Sequence, residues 1–264
     1  MCFIDSHVHI PLLSQASTEV LTQCAEKNVS ILLNVGYDFL SSCQSLKLSK
    51  EHDSVYASAG LHPHYVSEEQ WGDLKNWYSQ EQVYTHSRCV AWGEIGLDYV
   101  RSQAPRKIQQ VYFDFQLQWA YEKKLPVLIH NREADQDVLQ LLSHYPGIKG
   151  VMHCYSSSDD KFAEQVLAMG FMISFAGNLT YPASSFLRDL AQKLPIESLL
   201  LETDAPYLAP IPHRGRENHP TNVLEMYHLV AKLRAMEMGS LTKNLEDNFH
   251  RMFGSKGVEH EVIK

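Results

Sequence analysis

The sequence lacks the features of a membrane or an exported protein. None of its apolar runs approaches the roughly 20 residues that a membrane-spanning helix needs. The amino terminus carries Asp5, His7 and His9 in place of the basic and apolar segments of a signal peptide. The five cysteines are odd in number, widely spaced and form no Cys-x-x-Cys pair, which favours a reducing compartment. We therefore expect a cytoplasmic protein without a membrane partner.

Positive charge is also in short supply. Lysine and arginine number 23 against 31 aspartate and glutamate, which leaves a net charge of −8 with histidine neutral. This balance excludes a nucleic-acid binder that relies on a broad basic surface, so a phosphate substrate would need local positive charge such as a metal ion. Hydrophobic residues make up 44% of the chain, enough for a substantial core. The histidine count is unusual, with 14 copies against four tryptophans and eight methionines.

Short apolar runs alternate with longer segments of helical period along the chain, a pattern typical of βαβ units. We predict strands at 3–7, 30–35, 55–61, 90–95, 127–130, 150–153, 171–175 and 198–202. We predict helices at 17–27, 38–50, 68–79, 105–124, 134–144, 159–169, 184–194 and 222–235. Helix start signals support three of them, namely the capping box Ser67-x-x-Gln70 and the N-cap residues Asp159 and Ser184.

Eight strand-helix pairs in about 250 residues predict an α/β protein of the (β/α)8 TIM barrel type. We expect a single domain over residues 1–264, with a closing helix at 241–253 and a frayed tail from Gly254 onward. An open doubly wound sheet is the alternative. It would bind a nucleotide through a glycine-rich first turn, whereas the first strand here runs into Asp5-Ser6-His7-Val8-His9.

Metal-capable side chains recur where the predicted strands end, and in a barrel all these ends face one mouth. His7 and His9 are two residues apart, so on a strand they point to the same side and can bind one cation. Taken alone, this pair indicates only two partly exposed histidines. His130 and His153 end two further strands, and this recurrence favours a metal site.

Two acidic residues complete the predicted centre. Glu94 lies in an apolar strand flanked by Gly93 and Gly96, which allow a ligand to approach closely, and it is placed to bridge two cations; a salt bridge within the barrel is the alternative. Asp204 is predicted as a ligand and as the proton acceptor for an attacking water. Glu202 is predicted to orient a histidine, with a loop salt bridge as the alternative. Four histidines and two carboxylates favour Zn²⁺ or Mn²⁺ over Ca²⁺, with Mg²⁺ also allowed.

The chain resembles the TatD family of metal-dependent deoxyribonucleases, within the amidohydrolase-like barrel superfamily. The matching segments are Asp5-Ser6-His7-Val8-His9, Gly60-Leu61-His62-Pro63-His64, Gly93-Glu94-Ile95-Gly96-Leu97-Asp98-Tyr99, Pro126-Val127-Leu128-Ile129-His130-Asn131-Arg132, His153-Cys154-Tyr155-Ser156, Glu202-Thr203-Asp204-Ala205-Pro206-Tyr207-Leu208-Ala209-Pro210 and Arg214-Gly215-Arg216-Glu217-Asn218-His219-Pro220. Two departures, Ile10-Pro11 and Tyr155-Ser156-Ser157, replace the more usual Leu-Asp and Phe-Ser-Gly. They concern substrate shape, because all six expected ligands remain.

The resemblance implies a two-metal hydrolase that cleaves DNA phosphodiester bonds, often from an end. Carried over residue by residue, it assigns one metal to His7, His9, Glu94 and Asp204, and the second to Glu94, His130 and His153. Glu94 would bridge the two divalent ions.

Substrate contacts follow less directly from the sequence. Loop residues expected to reach phosphate oxygens, with rim packing or loop salt bridges as the alternative, are His62, His64, Arg132, Arg214 and Asn218. Tyr99 or Tyr155 is expected to stack on a base. Cys154 directly follows a predicted ligand on a strand, so it is expected to point away from the site and to serve in packing.

Two other functions stay open at this point. Related barrels with a similar metal cage hydrolyse small esters, amides or phosphorylated metabolites, but many bridge their metals with a carboxylated lysine where this chain has Glu94 and His130. A non-catalytic binding protein is the second alternative. It is disfavoured because binding alone does not require six convergent ligands.

Overall fold

The computed structural model describes residues 1–67 and 88–254. The predicted helix at 68–79 with its capping box, and the predicted tail beyond Gly254, lie outside the described residues. The prediction of one domain over residues 1–264 stays a prediction. Among the described helices, none has the length and apolar character needed to cross a bilayer.

Within these ranges, eight parallel strands follow one another around a single sheet in sequence order. They are β1 (Phe3–Val8), β2 (Val29–Val35), β3 (Val55–Ala59), β4 (Cys89–Asp98), β5 (Val127–Arg132), β6 (Gly150–Met152), β7 (Met172–Phe175) and β8 (Leu199–Leu201). Backbone hydrogen bonds from Asp204 to His7 (3.0 Å) and from His9 to Ala205 (2.9 Å) join the segment after β8 to β1. The predicted (β/α)8 barrel is confirmed, and the open-sheet alternative is wrong.

The fourth strand is longer than predicted. The prediction ended it at Ile95, but β4 continues to Asp98 because its residues stay buried and pair with β5 as far as Arg132. We had expected the glycines of this strand to allow a ligand to approach. In the structure they allow β5 to approach instead. A Cβ at Gly93 would lie 2.6 Å from Leu128 Cβ, and one at Gly96 would overlap the carbonyl oxygen of His130. The two strands therefore approach closely beside Glu94.

The helices of the described ranges are α1 (Ser17–Glu26), α2 (Phe39–Glu51), α3 (Arg106–Lys123), α4 (Asp135–Ser143), α5 (Asp160–Ala168), α6 (Ser185–Lys193), α7 (Val223–Leu233) and α8 (Met238–Phe253). Asp159 caps α5 by accepting a hydrogen bond from the Lys161 amide. Ser184 precedes α6, but its hydroxyl makes no capping bond. The closing helix α8 starts at Met238, three residues before the predicted position.

The barrel separates an apolar layer from a polar one. Leu128, Val151 and Leu200 form a small buried cluster with Phe249 and Phe253 of α8. His130 lies two residues after Leu128 on β5, so it points to the same side in the next layer toward the carboxyl ends. His153 and Glu202 follow directly after the ends of β6 and β8. The polar groups therefore lie directly above the buried apolar cluster.

Candidate metal centre

A cavity of about 560 Å³ opens at the carboxyl ends of the strands. Five of the six predicted metal ligands line this cavity, and they are His9, Glu94, His130, His153 and Asp204. The sixth, His7, is fully buried, and its Nε2 lies 3.5 Å from Glu94 Oε2. Residues separated by up to 197 positions in sequence (204 − 7) therefore converge at one place.

The first group of donor atoms surrounds one oxygen of Glu94. His7 Nε2 and His9 Nε2 lie 3.3 Å apart, and Asp204 Oδ1 lies 3.6 Å from His9 Nε2. Glu94 Oε2 is 3.8 Å from His9 Nε2. Ligand atoms held at about 2.1 Å from a tetrahedral ion are about 3.4 Å from one another. The spacing of this group therefore fits a single transition-metal ion.

A second group surrounds the other oxygen of Glu94. His153 Nε2 lies 2.9 Å from Glu94 Oε1, and His130 Nδ1 lies 3.0 Å from the same oxygen. His62 Nε2 also lies 3.3 Å from it, although His62 was predicted to contact substrate. His62, Glu94 and His130 together can hold an ion. The two oxygens of Glu94 thus face two different sets of imidazoles.

The state of these donors also fits a cation. His153 Nε2 is buried and makes no hydrogen bond of acceptable geometry, despite its short distance to Glu94. A buried polar atom of this kind normally has a partner, and a metal ion would supply one. Glu202 holds the opposite nitrogen, Nδ1, at 3.2 Å and also accepts a hydrogen bond from the Cys154 amide. The predicted orienting role of Glu202 agrees with this geometry and stays a prediction.

Burial and charge set the protonation of the site. Burial lowers the pKa of His62 to about 4 and also lowers the pKa of His7, so both imidazoles are neutral at pH 7. Burial alone would raise the pKa of Glu94, but the positive charge of His153, that of His62 in the acidic range, and hydrogen bonds from His130 and His153 outweigh it and hold that pKa well below its usual range. Neutral imidazoles and ionised carboxylates are the forms that bind metal.

The remaining imidazoles hold protons more tightly. Burial opposes the charged form of His9, His130 and His153, but neighbouring carboxylates outweigh it and raise all three pKa values. A cation that binds at these nitrogens must therefore displace protons.

Asp98 is a site residue that the sequence analysis missed. Its buried carboxylate accepts hydrogen bonds from the amides of Val100 and Arg101. Asp98 Oδ2 lies 2.7 Å from His64 Nε2 and 3.3 Å from His130 Nε2, while the other nitrogen of His130 faces Glu94. The signal was available, because Asp98 follows Glu94 by four residues on the same strand and therefore points to the same side. Asp98 orients His130.

We expect Asp98→Asn to weaken metal binding or hydrolysis by about 10- to 100-fold, the usual cost of removing a carboxylate that orients a metal-binding histidine. The amide keeps the shape but loses the charge that faces two histidines. Metal titration of the purified variant, followed by calorimetry, measures the effect. Asp114→Asn, which changes a half-exposed carboxylate of α3, is the control. Wild-type metal affinity in Asp98→Asn would contradict the orienting role.

Asp5 forms a second carboxylate layer beneath the donors. It is fully buried, and its oxygens accept hydrogen bonds from the Thr203 amide (2.9 Å) and the Thr203 hydroxyl (2.5 Å). These hydrogen bonds join β1 to the loop that carries Asp204. Burial raises the pKa of Asp5 to about 8. Its spacing of two residues before His7 was the signal for this position.

The predicted substrate contacts separate into two groups. His64 and Arg132 line the cavity. Arg214 lies outside the cavity lining, with its guanidinium 4.3 Å from the centroid of the Tyr181 ring. Asn218 is buried, and its amide donates to the carbonyls of Thr203 and Tyr207.

The structure leaves Asn218 no free side-chain group for a phosphate. Its oxygen is also occupied, because it accepts bonds from His219 and Asn222. Asn218 therefore closes the loop after β8. Arg214 is exposed beside Tyr181, and its contact with a phosphate stays a prediction.

The two predicted stacking residues lie in different environments. Tyr155 is buried and packs in parallel on Phe162, with ring centroids 6.0 Å apart, so it is not available to a base. Tyr99 lies outside the cavity lining, where its hydroxyl donates to Asp137 and its ring carries the Arg106 guanidinium at 4.3 Å. Stacking of Tyr99 on a base stays a prediction.

Cys154 lines the cavity, contrary to the prediction that it points away. The alternation of strand side chains does not reach it, because β6 ends at Met152 and Cys154 has a left-handed backbone with φ of 45°. Burial raises the pKa of its thiol well above the usual value, so it is protonated at neutral pH.

An eight-stranded barrel with buried histidine and carboxylate groups at its carboxyl mouth defines a metal-dependent hydrolase of the amidohydrolase-like superfamily. Within this class, the chain belongs to the TatD related DNase family, whose model matches residues 4–254.

Individual relatives match over nearly the full length. YcfH of Escherichia coli (strain K12), described as an uncharacterized metal-dependent hydrolase, is 35% identical over 261 residues. The match covers 96% of this chain and 96% of YcfH. A 3'-5' ssDNA/RNA exonuclease TatD from Erwinia tasmaniensis is 33% identical, over 89% of this chain and 92% of its own. The crystal structure of the TatD homologue YjjV from Escherichia coli K12 superposes with a TM-score of 0.86 at 28% identity, covering 96% of this chain and 98% of that one.

Proposed function

We propose that the chain hydrolyses DNA phosphodiester bonds, working from a strand end, with two divalent metal ions bound through Glu94. The observation that carries the proposal is the position of Glu94, whose two oxygens face separate groups of histidines. His7, His9 and Asp204 would hold one ion, and His130 and His153 the other. Zn²⁺, Mn²⁺ and Mg²⁺ are the candidate ions. Bound ions of this kind lower the pKa of water and stabilise charge on a phosphate.

The side chains of the site have distinct tasks in this reaction. Asp204 lines the cavity and is ionised, because His9, whose Nε2 lies 3.6 Å from Oδ1, and the charge of His153 outweigh burial and lower its pKa. It accepts the proton of the attacking water. Arg132 lies at the end of β5 on the same cavity and binds a phosphate oxygen.

Two further observations support the proposal. The chain is acidic overall, but Arg101 and Arg132 place positive charge at the cavity, where a phosphate would bind. A relative that covers most of the chain is described as an exonuclease acting on single strands.

Cytoplasmic location also stays a prediction, based on the cysteine pattern.

Hydrolysis of end-labelled DNA tests the proposal. Chelator-treated protein receives Mg²⁺, Mn²⁺ or Zn²⁺ separately, and single-stranded and duplex oligonucleotides carry the label at either the 5' or the 3' end. We expect metal-dependent shortening from one end, which the choice of label identifies. Small esters, amides and phosphorylated metabolites are assayed in parallel. Hydrolysis of one of these small molecules, while the DNA remains uncleaved, would overturn the proposal.

A further inference from the structure

Three tyrosines at the cavity mouth have no task in the metal centre. Tyr37, Tyr65 and Tyr207 all line the cavity. Tyr65 is 45% exposed and Tyr207 is 54% exposed, although both are large rings beside a buried site. Tyr37 is half-buried. Exposed aromatic surface that lines a cavity is typical of a ligand-binding site.

The three rings form one continuous wall around the donors. Tyr37 packs nearly parallel to Tyr65, with centroids 5.2 Å apart and planes inclined by 29°. The centroids of Tyr37 and Tyr207 lie 5.5 Å and 6.2 Å from that of His9, which stands between them. These tyrosines follow β2, β3 and β8, strands that lie around β1 in the barrel. We call Tyr37, Tyr65 and Tyr207 the tyrosine wall.

Positive charge also lines the cavity. Among the described lining residues, the lysine and arginine side chains are those of Arg101 and Arg132. Arg132 ends β5, which is opposite β1 in the strand order, whereas Arg101 follows β4, the neighbour of β3. The cavity therefore combines aromatic rings, metal-binding donors and the arginine at the end of β5.

We propose that the tyrosine wall binds the nucleobase next to the scissile phosphate by stacking, while Arg132 at the end of β5 binds the phosphate. This inference rests on the proposed function and names the form of its substrate. An aromatic ring stacks on the face of any base, so the wall selects for the presence of a base and not for its identity. A base inside a duplex has both faces covered by stacked neighbours, so the wall favours a base of a single strand.

The experiment compares substrates with and without a base. The reference substrate is a single-stranded oligonucleotide with normal nucleotides. In two further substrates, an abasic tetrahydrofuran residue replaces the nucleotide on one side or the other side of the terminal linkage. In metal-loaded wild type we expect kcat/KM to fall about ten-fold or more when the stacked base is removed. In Tyr65→Leu and Tyr207→Leu the ratio of kcat/KM for the two substrates should approach one. Tyr65→Phe and Tyr207→Phe keep the ring and should keep the ratio.

A binding measurement separates stacking from catalysis. A dinucleotide with 2-aminopurine and an uncharged methylphosphonate linkage, which resists hydrolysis, is titrated with the metal-loaded protein. Stacking quenches 2-aminopurine fluorescence, so we expect quenching with wild type and the phenylalanine variants and its loss in the leucine variants.

The outcomes distinguish the two proposals. Equal cleavage of base-containing and abasic DNA by wild type would overturn the tyrosine wall and leave the phosphodiesterase in place. The same reduction for both substrates in the leucine variants would also overturn it. Quenching by wild type that is lost in the leucine variants, without cleavage of any phosphodiester, would support base binding and overturn the proposed function.

Discussion

Replacing Glu94 by alanine is expected to reduce hydrolysis by at least about 1,000-fold, the scale on which removal of one group that stabilises transition-state charge acts. The expected loss is at the upper end because Glu94 contacts both donor groups, with Oε2 3.5 Å from His7 and Oε1 2.9 Å from His153. A single substitution therefore removes a ligand from each proposed ion. Initial rates on end-labelled DNA at saturating metal measure the effect.

Matched variants make the Glu94 result specific. Glu94→Gln keeps the side-chain shape but removes the charge, and we expect it to be nearly as inactive as alanine. Glu164→Ala, on the exposed side of α5, changes a carboxylate far from the cavity lining and should retain wild-type rates. Circular dichroism establishes that the inactive proteins are folded. Substantial hydrolysis by folded Glu94→Ala would remove the bridging role.

Metal removal is expected to lower the melting temperature of the protein by several degrees. An ion that binds only the folded state at 100 times its Kd adds about 2.7 kcal/mol of stability. For a protein of this size, each kcal/mol corresponds to about 2–4 °C. We therefore expect Zn²⁺ or Mn²⁺ to raise Tm by about 5–10 °C over chelator-treated protein, as measured by scanning calorimetry. The rise should be absent in Glu94→Ala.

The Tm increase should shrink as the pH falls. Burial opposes protonation of His9, His130 and His153, but carboxylates such as Asp204, Asp98 and Glu94 raise their pKa values above the ordinary 6.5. These imidazoles therefore take up protons already near neutral pH as the pH decreases, and protons compete with the ion. A Tm difference that is absent at every pH, or that grows on acidification, would contradict metal binding at these histidines.

Donors at strand ends were more predictable from the sequence than donors on loops. The donors at the strand ends follow from strand alternation and from barrel topology. The sequence therefore predicted one group of six, namely His7, His9, Glu94, His130, His153 and Asp204. His62 was recognised as a site residue, but its place 3.3 Å from Glu94 Oε1 was not. It stands on the loop after β3, and loop conformation is not encoded in a period of two or 3.6 residues.

Loop residues also differ from their predictions. Asn218 was expected at a phosphate, but its side-chain amide donates to the carbonyls of Thr203 and Tyr207 in the loop after β8. Cys154 was assigned by strand alternation, but it lies two residues after the end of β6. Tyr155 was expected to stack on a base and is instead buried beside Phe162. In each case, the packing of a loop and not the period of a strand decided the direction of the side chain.

The sequence by itself determined the barrel, its order of strands and the chemistry of its mouth. Apolar runs at regular intervals can bury their surface only as a parallel sheet covered by helices, and such a sheet collects every strand end at one edge. Only the tertiary structure decided which tyrosines form the wall, that Asp98 faces His130, and that His62 lies beside the same Glu94 oxygen as His153. These features depend on loop paths and side-chain directions at distances of a few ångströms, which follow from packing of the whole chain and not from local periodicity.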